Sequence, residues 1–180
     1  NYHYFKLFEA TYYPLNDKQM VLGVAKLSMD KEKNGQLIKV LFQTDSKSIS
    51  VKSLPDHPLK DQVAVGEFYL SEKLSKTKQY TGNSFDYSFI VNGQGNFNEV
   101  NINKLENNNF FEFFPAAPKQ NQISGNLEGS KEFGYKIIPK DSGQFQFANY
   151  FNFIYFNSSS GKYDTLKSTK TIVVSGESLN

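Results

Sequence analysis

Phe85-Asp86-Tyr87-Ser88-Phe89-Ile90-Val91 carries a large apolar side chain at every second position. In an extended chain successive side chains point to opposite faces, so Phe85, Tyr87, Phe89 and Val91 share one face of a sheet. The same period recurs at Phe133, Tyr135 and Ile137, and at Phe145 and Phe147. Sustained helical periodicity is hard to find. The pattern predicts further strands at Tyr2–Phe8, Met20–Leu27, Leu37–Gln43, Ser48–Lys52, Val63–Leu70, Phe97–Ile102, Phe110–Phe114, Gln122–Leu127 and Thr171–Val174. Tyr150–Phe156, aromatic on both faces, reads as a central strand. Helix is confined to a turn or two near Glu72–Lys76 or Asn103–Asn107.

Turn signals separate these runs: Lys33-Asn34-Gly35, Asn92-Gly93-Gln94-Gly95-Asn96, Lys140-Asp141-Ser142-Gly143 and Ser159-Ser160-Gly161-Lys162. Short strands at this spacing, without crossover helices, predict an all-β antiparallel sandwich. The stretch Val51–Lys60 holds Pro55 and Pro58, which break any ladder. The expected organisation is therefore the C-terminal part of a first sandwich over 1–54, a linker over 55–65, a second sandwich over 66–176 and a tail over 177–180. Tyr12–Met20 and Ile137–Phe145 share an order of strand, proline, polar turn and strand. The first segment accordingly reads as the closing half of a sandwich, with an apolar face or edge left for another chain.

Composition narrows the chemistry. The 180 residues include 17 Phe and 11 Tyr but no Trp, enough aromatic surface for a core. The formal charge is +2 and every basic residue is Lys, which argues against nucleic acid, where Arg forks read bases and clamp phosphates. Cys is absent, which removes disulfides, Cys-ligated zinc and thiol catalysis. The two histidines, His3 and His57, sit in no catalytic motif and are read as unliganded surface residues. No triad order, zinc motif or glycosidase signature is present, so neither an enzyme nor a cofactor is expected. No apolar run approaches the roughly 20 residues of a membrane helix. The chain opens at Asn1 without a Met or a leader pattern and is expected to be a piece of a longer protein.

Several residues invite a functional reading beside a structural one. Gly93-Gln94-Gly95-Asn96 has the look of a phosphate-cradling loop, but a strand rather than a helix is expected after it, so Gly93 and Gly95 are read as turn or bulge glycines with positive φ. Tyr135, four residues before Pro139, resembles a tyrosine corner, and Gly143 opens the strand after the turn. Tyr155, Phe156 and Tyr163 are read as core, against an aromatic platform for a sugar ring beside Asn152 and Asn157. Glu128, Glu132, Asp141 and Asp164 lack the spacing of a calcium loop and read as solvated turn charges. Glu112 falls between Phe111 and Phe113, outward with Phe110 and Phe114, either as a charged guard on an exposed edge or within a contact patch.

The ordered series Val51-Lys52-Ser53-Leu54-Pro55, Val65-Gly66-Glu67-Phe68, Gly93-Gln94-Gly95-Asn96-Phe97, Lys131-Glu132-Phe133-Gly134-Tyr135-Lys136-Ile137-Ile138-Pro139, Gly143, Tyr155-Phe156 and Tyr163–Ser168 resembles the BatD oxygen-tolerance family of bacterial envelope proteins. The resemblance spans roughly 51–176. It departs from the family at Pro58–Asp61 and at Gln144–Phe147. It implies immunoglobulin-like sandwiches in the periplasm, tethered to the inner membrane by a helix lying outside this chain. It also implies von Willebrand factor A-domain membrane proteins of the same operon as partners, and a role in aerotolerance and stress resistance. It supplies no catalytic residue. Because such partner domains often bind a ligand carboxylate through a metal, Asp164 and Glu112 become the candidate partner-binding acids. The expected function is a non-enzymatic protein–protein interaction module, with a carbohydrate-binding sandwich of the cell envelope as the alternative.

Overall fold

The computed structural model describes residues 3–14, 16–122 and 127–179. The chain divides into Tyr12–Asp56 on one side and His57–Asn180 with Asn1–Thr11 on the other. Asp56 lies between the two prolines of the linker stretch.

Tyr12–Asp56 forms two antiparallel pairs, β1 (Met20–Leu22) with β4 (Lys47–Ile49), and β2 (Lys26–Lys33) with β3 (Gln36–Gln43). Asn34 and Gly35 close the β2–β3 hairpin at φ +54° and +76°, the double positive φ of a two-residue turn that suits strand twist. The single strand predicted over Met20–Leu27 is broken at Gly23–Ala25. There Ala25 N–H donates to Thr44 Oγ1 (3.1 Å) and Thr44 N–H to the Ala25 carbonyl (3.0 Å), so the backbone is satisfied by a corner.

His57–Asn180 is an all-β sandwich. Its larger sheet runs β13 (Lys162–Lys167), β12 (Asn152–Asn157), β5 (Ala64–Leu74), β7 (Phe85–Gly95), β10 (Glu128–Pro139), β8 (Phe111–Pro115), with β9 (Lys119–Gln122) also on β10. The smaller sheet is β11 (Gly143–Gln146), β14 (Thr171–Ser175), β6 (Lys78–Tyr80). Pairing is antiparallel except for β12 with β5 and β14 with β6, which are parallel. The alternation decides the faces: Phe85, Tyr87, Phe89 and Val91 of β7 and Phe133, Tyr135 and Ile137 of β10 point inward, where Ile172 and Val174 of β14 meet them. Among the described residues no helix is long and apolar enough to cross a membrane.

Four expectations are corrected. Residues 3–8 are in no strand and are exposed, since no neighbouring strand takes up their backbone groups; Tyr2 lies outside the described residues. Glu72–Leu74 continue β5, because their ladder with Phe89–Tyr87 of β7 outweighs a weak helical pattern. Phe97–Ile102 is not a strand: Glu99 and Val100 N–H groups bond back to Asn96 and Phe97, and the turn drives Phe97 and Val100 into the core. The predicted strand at Phe145–Phe147 ends at Gln146, and Phe147 starts a short 3-10 turn (Phe147–Asn149). Of the predicted strand Gln122–Leu127, residues 123–126 lie outside the described residues.

Gly93 and Gly95 also fall elsewhere than expected, inside β7 rather than in a turn. Their φ angles of +135° and +158° are positive as foreseen, but the cause is close packing. A Cβ on Gly93 would stand 2.0 Å from the Glu67 carbonyl oxygen, and one on Gly95 would stand 2.6 Å from the Phe68 ring. The glycines let two strands and a phenyl ring lie flat on one another. Gly161 differs: at φ +66° it has open space around it. Gly93→Ala is expected to lower stability by about 2 kcal/mol or more, through a clash with backbone that cannot yield, and Gly161→Ala by about 1 kcal/mol, for the left-handed φ alone. Urea unfolding of the two variants, followed by far-ultraviolet circular dichroism, checks the order.

Candidate functional site

Glu112 and Asp164 do not come together. Glu112 is on β8 and Asp164 on β13, at opposite ends of the strand order of the larger sheet. Around Glu112 the alternation places Phe111 and Phe113 in the core and leaves Phe110 and Phe114 about half exposed. Asn107 and Asn108 cap this strand: Asn107 Oδ1 accepts from Phe113 N–H (2.8 Å), and Asn108 Oδ1 accepts from Phe110 and Phe111 N–H (2.8 and 3.0 Å). The β8 edge is thereby blunted by side-chain amides. Asp164 is also engaged, accepting from Tyr155 Oη (3.3 Å) and from Thr165 N–H (2.7 Å).

The other marked residues are structural in their surroundings. Tyr135 is not at a corner as expected but sits mid-strand in β10, paired on both sides, with its ring edge-on to Phe151 at 5.1 Å, and burial raises its phenol pKa. Pro139 is buried at the end of β10, opposite Phe111, with its carbonyl accepting from Gly82 N–H at 2.9 Å. Gly143, at φ +150°, begins β11 against the Phe145 ring. Of the aromatic platform considered, Tyr155 is 2 % exposed and shares its one hydroxyl proton between the Phe68 carbonyl (3.2 Å) and Asp164, while Phe156 and Tyr163 pack edge to face. His57 stacks on Tyr163 at 4.2 Å, and its Nδ1 accepts from Leu59 N–H. No group of three or more metal-ligating side chains occurs among the described residues.

Sequence reasoning missed Glu72, which is on the inward face of β5 and ties the chain after β13 to the sandwich. Its carboxylate accepts from Tyr87 Oη (2.6 Å), Ser168 Oγ, Thr169 N–H (3.0 Å) and Thr169 Oγ1 (2.8 Å). Partial burial alone would raise its pKa, but the hydrogen bonds together outweigh it and the net shift is downward. Tyr87 shifts upward, chiefly from burial and then from its bond to Glu72. No local motif signals this carboxylate, because its partners lie up to 97 residues away.

The surface that stands out is in Tyr12–Asp56. None of its described residues is buried. The β2–β3 register pairs Leu27 with Phe42, Met29 with Val40 and Lys31 with Ile38, so five apolar side chains share one face of the hairpin. Met29 and Phe42 are 52 % and 54 % exposed. Covering each such side chain is worth on the order of 1 kcal/mol. The hairpin is a sheet of two strands only and leaves an outer edge on each, with unpaired backbone groups that a further strand can use.

No protein-family model matches the chain, and no curated protein matches it. The resemblance to the BatD family therefore rests on the residues quoted for it.

The Glu72 arrangement makes a pH prediction. Its folded pKa is depressed, so its stabilising contribution is fully present above the unfolded value near 4.5 and is lost as pH falls through the lower folded value. Glu72→Gln is expected to cost about 1–2 kcal/mol at pH 7, with the gap from the parent protein closing as the pH drops below 4.5. Thermal unfolding of both proteins across pH 3 to 7 checks it.

Proposed function

We propose that this chain is a non-enzymatic protein–protein interaction module of the bacterial envelope, working in the periplasm as part of a BatD-like aerotolerance protein. The observation that carries the reading is the exposed apolar face of the β2–β3 hairpin, beside open strand edges. A face of this kind is stabilised when a partner removes it from water, and an added strand sets register through main-chain hydrogen bonds. The sandwich of His57–Asn180 supports the same reading in a different way. Its larger sheet holds its polar pairs by internal bonds, and the candidate acid Asp164 already accepts from Tyr155 Oη and Thr165 N–H, which favours contact without a bridging metal.

By the BatD resemblance the partner is a von Willebrand factor A-domain membrane protein of the same operon. Titration calorimetry of the purified A domains into this chain, with and without EDTA, tests the proposal. Binding is expected to survive EDTA and the double change Glu112→Ala and Asp164→Ala, and to weaken at least about tenfold on Phe42→Ser or Met29→Asp. Binding abolished by EDTA would replace the apolar face with a metal-bridged acid, and absence of binding to any of the A domains would overturn the partner assignment.

A further inference from the structure

The outward face of the larger sheet is mixed: Val65 and Phe114 are partly exposed on it, and Tyr69 is the most exposed of its large apolar side chains. Tyr69 is 62 % exposed on β5, in the part of that strand laddered to β7. Alternation against the buried Phe68 sends Tyr69 outward. Two rows of side chains cross β5, β7 and β10 in register there. One is Glu67, Gln94 and Glu128; the other is Tyr69, Asn92 and Ser130. Together with Asn121 of β9 they line an open groove of about 500 Å³.

The lining selects among ligand classes. Its described residues bring two carboxylates and no cation, so phosphates, nucleic acids and acidic chains are repelled. Beneath the groove β7 is paired on both sides, whereas β5 pairs with β12 only over Ala64–Gly66, and the Phe68 carbonyl beyond that ladder is taken by the Tyr155 hydroxyl. Amide and hydroxyl groups dominate the remainder, which disfavours an apolar ligand. They are held partly in place already: Asn92 Nδ2 donates to Ser71 Oγ (2.9 Å), and Gln94 Nε2 to Glu128 Oε1 (3.2 Å). What fits is a neutral molecule with one flat apolar face and a rim of hydroxyls. A sugar ring has that form: its C–H face lies on Tyr69, and its hydroxyls meet groups able both to donate and to accept.

We infer that this groove binds a neutral oligosaccharide, with Tyr69 as the stacking platform and Asn92, Gln94, Glu67 and Glu128 as hydroxyl partners. The inference does not rest on the hairpin face of Tyr12–Asp56, and the two sites stand or fall separately. Titration calorimetry of the full chain with cellohexaose, laminarihexaose and chitohexaose tests it, with hexagalacturonate as the anionic control. At least one neutral hexasaccharide is expected to bind, and the hexagalacturonate is not. Tyr69→Ala should weaken binding at least tenfold and Gln94→Ala several-fold, with unchanged urea midpoints. Tyr80→Ala, at another 62 % exposed tyrosine outside the groove, should leave it unchanged. Binding of none of the neutral sugars overturns the inference, as does binding that survives both Tyr69→Ala and Gln94→Ala or that prefers hexagalacturonate.

Discussion

The sandwich depends on where the ring of Phe151 sits. It is fully buried, and it meets Tyr87 and Phe89 of β7, Phe113 of β8, Tyr135 of β10 and Phe147 of the 3-10 turn, at centroid distances of 4.5 to 6.4 Å. Its backbone is as constrained as its ring. Phe151 N–H donates to the Phe147 carbonyl, and the Phe151 carbonyl accepts from Ser168 N–H. The turn leaving the smaller sheet, the strand entering the larger one and the loop after β13 are thus fixed at one point. Edge-to-face and tilted pairs add about 0.5–1.5 kcal/mol each beyond burial, so a chain without Trp reaches a specified core through many modest aromatic contacts. Ser168 carries the constraint onward to Glu72, which accepts three hydrogen bonds from the same loop and a fourth from Tyr87.

How much of this was legible follows from the range of the interactions. Period-two runs are local, and they gave the inward faces of β7, β10 and β8 residue by residue, including the outward position of Glu112. Gly93 and Gly95 were legible as positions needing positive φ but not as strand residues. A glycine required by a turn and one required by an approaching backbone look alike until Glu67 and Phe68 are known to lie across the ladder. Phe97–Val100 failed for a related reason. Both residues are apolar and both are buried, but a back-bonded turn buries them without a ladder, and the buried Lys131 amine closes that turn by donating to the Phe97 carbonyl at 3.1 Å. Tyr69 carried no signal at all. Its significance comes from what stands beside it on β7 and β10, which register decides and sequence spacing does not.

The two faces of the larger sheet answer different physical demands. Inward, aromatic area supplies stability. Outward, Lys136–Asp86 (2.9 Å), Lys73–Glu132 (3.3 Å) and Ser88–Glu132 (2.7 Å) form exposed cross-strand links. The Glu132 carboxyl is held below its ordinary pKa by the Ser88 hydroxyl first and then, against slight burial, by Lys73. Exposed pairs of this kind are worth about 0–1 kcal/mol each, too little to explain the fold. Around Tyr69 the groove is lined by amides, hydroxyls and carboxylates rather than by further apolar side chains.

Tyr12–Asp56 shows the opposite arrangement, with apolar side chains ordered on a hairpin that has no core. A segment this short cannot enclose a core, since the share of surface that a fold buries falls with its size. Five of its apolar residues nevertheless share one face across β2 and β3, with Leu27 opposite Phe42 and Met29 opposite Val40, while Leu37 and Leu41 fall on the other. A slip by one residue would send every side chain to the other side, which covering one face disfavours. This is what supports the proposed docking role: a face of that breadth, with open strand edges, suits a protein surface. The groove at Tyr69 needs no cover for the fold to hold. Its single ring among satisfied polar groups suits a small, hydroxylated ligand that comes and goes.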